Sequence, residues 1–426
     1  MSYFERNFAK MQDIAADLFA HPELGYKEFY TKSRVEDFIH DVTPETEIHY
    51  FSTTGMRVNL NTGQKMTLAF VAELDAVKVP GHFQADPETG AAHACGHFTQ
   101  VTTALSLYGY LTEDKRYQYY DFNFAFIFVP AEEFIDLEYR QSLIDEGVIT
   151  YMGGKPEAMK LGVFDDVDFA MCVHTIGGAE EKLVEINCDL AGFLYKHYRF
   201  EGKASHAGWD PFSGVNAYSM STLFNTGLGL MRQQLREDVY VRINPVIDHG
   251  NFSTNVIPDE VQVGSDLRTV DVEYMKVVAE RMDKVAKGAA YALEGKVQIQ
   301  TQMGYLPFVQ ARYLSNFVRE AFQAQDTIPH WLEDRGAVAA AGDIGDLSYM
   351  IPSIQISYGG FTGTIHGNDL RMVDEPFVLQ EFPEFLVSVL DQMNGRIDPD
   401  QLYRRSYDDY ATYIQSIVHE GETHEE

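Results

Sequence analysis

Four largely apolar runs recur along this chain, and each ends in or near side chains that bind metals or move protons. Residues 66–72 lead into Glu73-Leu74-Asp75, and residues 122–129 lead into Pro130-Ala131-Glu132-Glu133. Residues 169–173 end at His174, and residues 351–358 end at Gly359-Gly360, with His366 a few positions on. The 122–129 run is apolar on both alternating faces, the pattern of a central strand covered by helices on both sides. In open α/β sheets, ligands bind outside the carboxyl ends of the strands. The pattern therefore predicts that these polar residues collect at the strand ends of a mostly parallel sheet.

Elsewhere the apolar positions switch to helical spacing. Residues 1–19 read as an amphipathic helix, and a second helical stretch spans about 31–39. Val101, Leu105 and Tyr108 place an apolar stripe on a predicted amphipathic helix over 98–111, and a further helix is predicted near 313–325. The middle of the chain differs in texture: residues 193–201, 239–247, 261–267 and 297–303 alternate as strands, interrupted by helical stretches at 215–235 and 273–293. Strand, helix, strand, strand, helix, strand is the order of the split βαβ, ferredoxin-like unit. The expected fold is α/β, a mixed, mostly parallel sheet with helices on both faces. It is formed by residues 1–189 and 307–426, with a ferredoxin-like α+β domain inserted at 190–306.

A chain of 426 residues suits two or three domains rather than one core. Acidic residues outnumber basic ones by 64 to 33, a formal charge of -31, so no basic stripe is available for nucleic acid or an anionic membrane. No run approaches the ~18 apolar residues of a membrane span, and the start lacks the apolar stretch of a signal peptide. Three cysteines, Cys95, Cys172 and Cys188, form no paired framework and suit a reducing compartment, so the cytoplasm is the expected location. The acidic end, with His419 and His424, reads as a frayed tail whose histidines are bystanders.

The densest chemistry lies in His93-Ala94-Cys95-Gly96-His97, where a thiolate and an imidazole stand two residues apart. Both are ligands for zinc-like ions, and Gly96 lets the backbone bend between them. Taken alone, the pentapeptide fits packing as well as metal binding, and a Cys95 nucleophile with His97 as base is also compatible with the spacing. His21, in a turn-rich His-Pro-Glu-Leu-Gly stretch, reads as a polar loop residue.

Taken together, HPELGYKE (21–28), AELDAV (72–77), HACGH (93–97), PAEE (130–133), VHT (173–175), GKASHAG (202–208), NVIPDE (255–260), GDIGDLS (342–348) and TIHGND (364–369) are specific. In this order they resemble the dinuclear metal-dependent amidohydrolases, the family of aminoacylases, carboxypeptidase G type enzymes and the hydrolases of indoleacetyl-amino acids and aminobenzoyl-glutamate. The resemblance implies two divalent ions, zinc or manganese, on Cys95, His97, Glu133, His174 and His366. It implies Glu132 as general base and Asp75 orienting a ligand histidine. From the insert it implies His206 stabilising an oxyanion across a homodimer, with Asn255 and Arg268 near a small-molecule substrate bearing a free carboxylate. The implied reaction is hydrolysis of an N-acyl or N-aroyl amino acid. The alternatives are a dipeptidase or carboxypeptidase of the same family, and a non-catalytic binding protein on the same scaffold. The chain departs from the family pattern where Phe98 and Gln100 replace the usual aspartate and histidine, and where Glu73 replaces an aspartate.

Overall fold

The computed structural model describes residues 1–418; the tail carrying His419 and His424 lies outside the described residues. Two compact units are present. The first contains Met1–Cys188, Val309–Gly336 and Asp346–Tyr407.

In the first unit, an eight-stranded sheet runs in the order His49–Phe51, Gly55–Leu60, Phe122–Val129, Met66–Glu73, Phe169–Thr175, Ser353–Tyr358, Leu183–Ile186, His330–Glu333. The four central strands, Phe122–Val129 through Ser353–Tyr358, are mutually parallel, and antiparallel pairs flank them. The short strands Leu183–Ile186 and His330–Glu333 carry too few residues to register as a periodic pattern in the sequence. Both faces of the centre are covered. Phe122, Phe124, Phe126 and Phe128 enter the main apolar core, while Ala125, Ile127 and Val129 are equally buried on the other face, against which the helix Gly154–Lys160 packs.

The helix His97–Thr112 differs from its expected amphipathic form, because it is buried almost all round. It lies between the sheet and the helices Tyr3–Ala20, Phe29–Val42 and Phe382–Met393, so no face meets water. Its polar side chains are accommodated locally: Thr102 and Thr112 donate to the carbonyls four residues back, and Thr99 to that of Gly96.

The second unit contains Asp189–Phe308, Ala337–Gly345 and the described residues from Asp408 on. Its four-stranded antiparallel sheet runs Val241–Gly250, Glu260–Thr269, Gly192–Glu201, Lys296–Tyr305, with helices Ala217–Met231 and Val272–Ala292. That is strand order two, three, one, four, the ferredoxin-like arrangement. The expected boundary at 307–426 thus differs from the observed grouping at Ala337–Gly345. Ala191 N–H donates to the Val338 carbonyl and Arg268 to that of Ala339, which ties this loop to the insert. No described helix is long and apolar enough to cross a membrane.

Candidate metal centre

The polar residues at the parallel strand ends do converge. Gly96 takes φ of 88°, and a Cβ there would strike the Thr175 side chain, so only glycine lets the Cys95 loop close against that strand. Thr175 Oγ1 then donates to the Cys95 carbonyl at 2.9 Å. His97, the first residue of its helix, points Nδ1 at Asp75, 2.9 Å from the carbonyl and 3.2 Å from Oδ1. Nδ1 therefore carries a proton, and Nε2, buried and without a hydrogen-bond partner, lies 3.1 Å from Glu73 Oε2. His174 is fixed the same way, Nδ1 facing the Thr175 carbonyl at 2.9 Å and Nε2 lying 3.5 Å from Cys95 Sγ.

Glu132 and Glu133 sit just past Phe122–Val129, after Ala131 at φ 56°. Asp75 Oδ2 accepts the Glu133 N–H at 3.0 Å, so one buried carboxylate orients both His97 and the glutamate pair. Glu133 Oε1 meets His366 Nε2 at 3.0 Å, and His366 is held by its own N–H on the Ala94 carbonyl at 2.7 Å.

Cys95, His97 and His174 form one group of donor atoms, and Cys95, Glu133 and His366 another, each within 4.8 Å. Cys95 belongs to both. Glu73, His97 and Glu132 form a third group. One thiolate, three imidazoles and carboxylates suit zinc-like or manganese-like ions, and the orphaned Nε2 of His97 is the atom such an ion would take. All five residues expected to hold metal are thus brought together, with Glu132 and Asp75 beside them. His21 is not among them: it is exposed and bonds back to the Asp17 carbonyl.

The profile of the peptidase family M20/M25/M40 matches residues 69–385. The chain belongs to that family. It is 26% identical over 335 residues to N-acetyldiaminopimelate deacetylase of Streptococcus pneumoniae serotype 19F (strain G54), covering 73% of this chain and 80% of the relative. It is 23% identical over 361 residues to one of the subunits of p-aminobenzoyl-glutamate hydrolase from Escherichia coli (strain K12), covering 79% of this chain and 66% of the relative. In fold it is similar to the YXEP protein of Bacillus subtilis, a dinuclear metal binding peptidase of the M20 family. The TM-score is 0.70 at 19% identity, covering 91% of this chain and 99% of that one. As a member of the M20/M25/M40 family the chain is a metal-dependent amide hydrolase.

Electrostatics follow the family chemistry. Burial raises the Cys95 thiol well above its usual range and Glu133 adds to it, while the neighbouring His97 opposes the shift. Burial alone would depress His97, but the Cys95 and Glu73 charges outweigh it and raise the imidazole. For Glu133, burial pushes upward and the hydrogen bond and charge of His366 outweigh it, leaving the carboxyl below its ordinary range.

Three further residues support this M20 family site without having been singled out in the sequence. Lys155 Nζ lies 2.5 Å from Glu73 Oε1, fully buried. Arg140, also fully buried, donates to the carbonyls of Glu133 at 2.5 Å, Met152 at 2.8 Å and Ala131 at 3.4 Å. Glu28 Oε1 accepts the Ala131 N–H at 2.9 Å. Glu28 stands in the HPELGYKE motif, which was therefore a legible signal; Lys155 and Arg140 carried none.

The departures at Phe98 and Gln100 also find their places. Phe98 packs on Phe19 and on His93, whose burial, helped by His97 and His82, pushes it down to about 3 and keeps it neutral. Gln100 Nε2 donates to Glu73 Oε2 at 2.8 Å.

In the second unit, His206 lies exposed on a two-residue strand paired with Val256–Ile257. Its Nδ1 accepts the N–H groups of Gly208 at 3.2 Å and Trp209 at 3.0 Å, so the ring proton sits on Nε2, a free-facing donor. Asn255 is exposed beside it, its carbonyl accepting the Ala207 N–H at 2.9 Å. Arg268 is engaged by Asp266 Oδ2, at 3.2 Å from Nε and 2.9 Å from Nη2, so its fork already grips a carboxylate of its own strand.

Proposed function

We propose that this chain hydrolyses the amide bond of an N-acyl or N-aroyl amino acid bearing a free carboxylate. The observation that carries the reading is the sharing of Cys95 between two donor groups at the strand ends, with Glu132 adjacent. Cys95, His97, Glu133, His174 and His366 would hold two divalent ions, zinc or manganese. Bound there, such ions polarise an amide carbonyl and acidify water. Glu132, its Oε2 3.8 Å from His97 Nε2 and partly open to solvent, takes the proton from the attacking water and returns it to the leaving amine. Asp75 keeps His97 in the Nδ1–H tautomer.

A homodimer completes the reading. His206 offers its Nε2–H to the oxyanion across the dimer, and Asn255 lies beside it. Arg268 would bind the substrate carboxylate in exchange for Asp266. The deacetylase and aminobenzoyl-glutamate hydrolase names of the relatives support an acyl or aroyl amino acid over a dipeptide. Three buried cysteines that form no disulfide suit the cytoplasm. Cys95 is a ligand rather than a nucleophile in this scheme, because it is buried and both neighbouring groups use its sulfur.

The test is Glu132→Gln assayed on a panel of N-acetyl, N-aroyl and dipeptide substrates with the metal content measured in parallel. Metal retained and turnover lowered by about 10²–10⁴-fold is the expected outcome. Unchanged turnover on a verified substrate would remove Glu132 from the mechanism.

A further inference from the structure

Glu73 is a buried carboxylate with an oxygen 3.1 Å from His97 Nε2, inside a third donor group with His97 and Glu132. A carboxylate so placed is a metal ligand unless something else commits it. Both its oxygens are committed: Oε1 to the Lys155 ammonium at 2.5 Å and Oε2 to the Gln100 amide at 2.8 Å. Gln100 Oε1 accepts the Glu73 backbone N–H at 3.3 Å in return, so the glutamine grips both ends of the residue. Glu73 is held below its ordinary range, to about 2: burial pushes upward, and the charges of Lys155, His97 and His174 outweigh it.

We propose that Lys155, with Gln100, is a positioning residue that withholds Glu73 from the metal ions. The pair confines metal to the donors grouped around Cys95 and leaves His97 Nε2 for that purpose. The inference rests on the metal-site reading above and deepens it. Its logic is charge and competition. Glu73, Asp75, Glu132, Glu133 and a Cys95 thiolate would place five negative charges around the site. Two divalent ions balance four, so an unpaired Glu73 would compete with the Cys95-centred donors for them. Lys155, anchored at the start of the helix Gly154–Lys160, neutralises Glu73 through Oε1, while Gln100 occupies Oε2, the oxygen that faces His97 Nε2. Two of the three partners, Glu73 and Gln100, are positions where the chain departs from its family pattern.

The experiment uses cobalt(II) as probe on the full chain, reading ions per chain by elemental analysis and affinity by chelator competition. The visible spectrum supplies a third readout, since its intensity falls as oxygen ligands are added. Lys155→Met is expected to shift cobalt affinity by about tenfold or more and to weaken the visible bands, as Glu73 enters the coordination sphere. Lys155→Met with Glu73→Gln is expected to return affinity to within about threefold of the parent with the parent's spectrum. If the double variant loses an ion per chain, Glu73 is a ligand and the proposal falls. It also falls if folded Lys155→Met matches the parent in spectrum and affinity. Where Lys155→Met alone does not fold, the double variant decides. A parent chain that takes up no cobalt would instead overturn the metal-site reading itself, whatever the variants do.

Discussion

His366 Nε2 lies 3.0 Å from Glu133 Oε1, although the two residues are 233 positions apart. Their donor group is closed by Cys95, and Cys95 also closes the group of His97 and His174. Single substitutions should therefore divide by how many groups they touch. Cys95→Ala should reduce metal from about two ions per chain to near none, while His174→Ala and His366→Ala should each leave about one. Elemental mass spectrometry after dialysis reads this directly, and an ion retained in Cys95→Ala would show that the groups do not share the sulfur.

Glu28 is fully buried and raised to about 8, first by burial and then by the charge of Asp75. Its folded-state pKa thus exceeds its unfolded value near 4.5, so between these values the native chain holds a proton the unfolded chain has lost. The associated stability is fully present below about pH 4.5 and is lost as pH rises through about 8. Glu28→Gln can keep the Ala131 N–H bond and donate to Thr54, now 2.6 Å from Oε2. The urea midpoint of the parent should fall between pH 5 and 9 more steeply than that of the variant; parallel curves would mean that Glu28 does not titrate in that window.

Arg140 gathers three carbonyls around the turn that presents Glu132 and Glu133. Arg140→Met would remove one donor from each carbonyl, but Glu133 keeps the Ile135 N–H and Ala131 the Gly154 N–H, so a loss of about 1–3 kcal/mol in urea unfolding is expected. Metal content at limiting zinc should drop as well, because the glutamate pair loses its support. Full stability in the variant would show that solvent replaces the guanidinium.

The framework of strands was legible because the central strands are buried on both faces, and a run such as 122–129 has Asn123 as its one polar position. The five ligand-type residues were legible because each follows or sits in such a run or a specific motif. Lys155 was not, since a lysine two residues after Gly153 looks like any helix-start surface cation until the fold buries it against Glu73. Spacing places Asp266 and Arg268 on one face of a strand, but it does not show that the guanidinium grips this carboxylate rather than a substrate's.

The dimer makes the sharpest demand on the proposed mechanism. The helix Ala217–Met231 buries Met220, Phe224 and Leu228 but exposes Tyr218, Leu223 and Leu230, the last at 74%. Val241–Gly250 ends its sheet, with Val246 exposed at 53%. An edge strand and an apolar helix face in one unit suit a self-complementary interface. If His206 serves the partner's site, Glu132→Gln and His206→Ala chains are each inactive alone but complementary when paired. Random re-pairing of equal amounts makes half the dimers mixed, each with one intact site, so about one quarter of the parent activity should return. Adding Leu230→Asp and Val246→Asp to both chains should abolish that recovery and halve the mass in light scattering. No recovery from the mixture, with mixed dimers verified by mass spectrometry, would place His206 outside the partner's site.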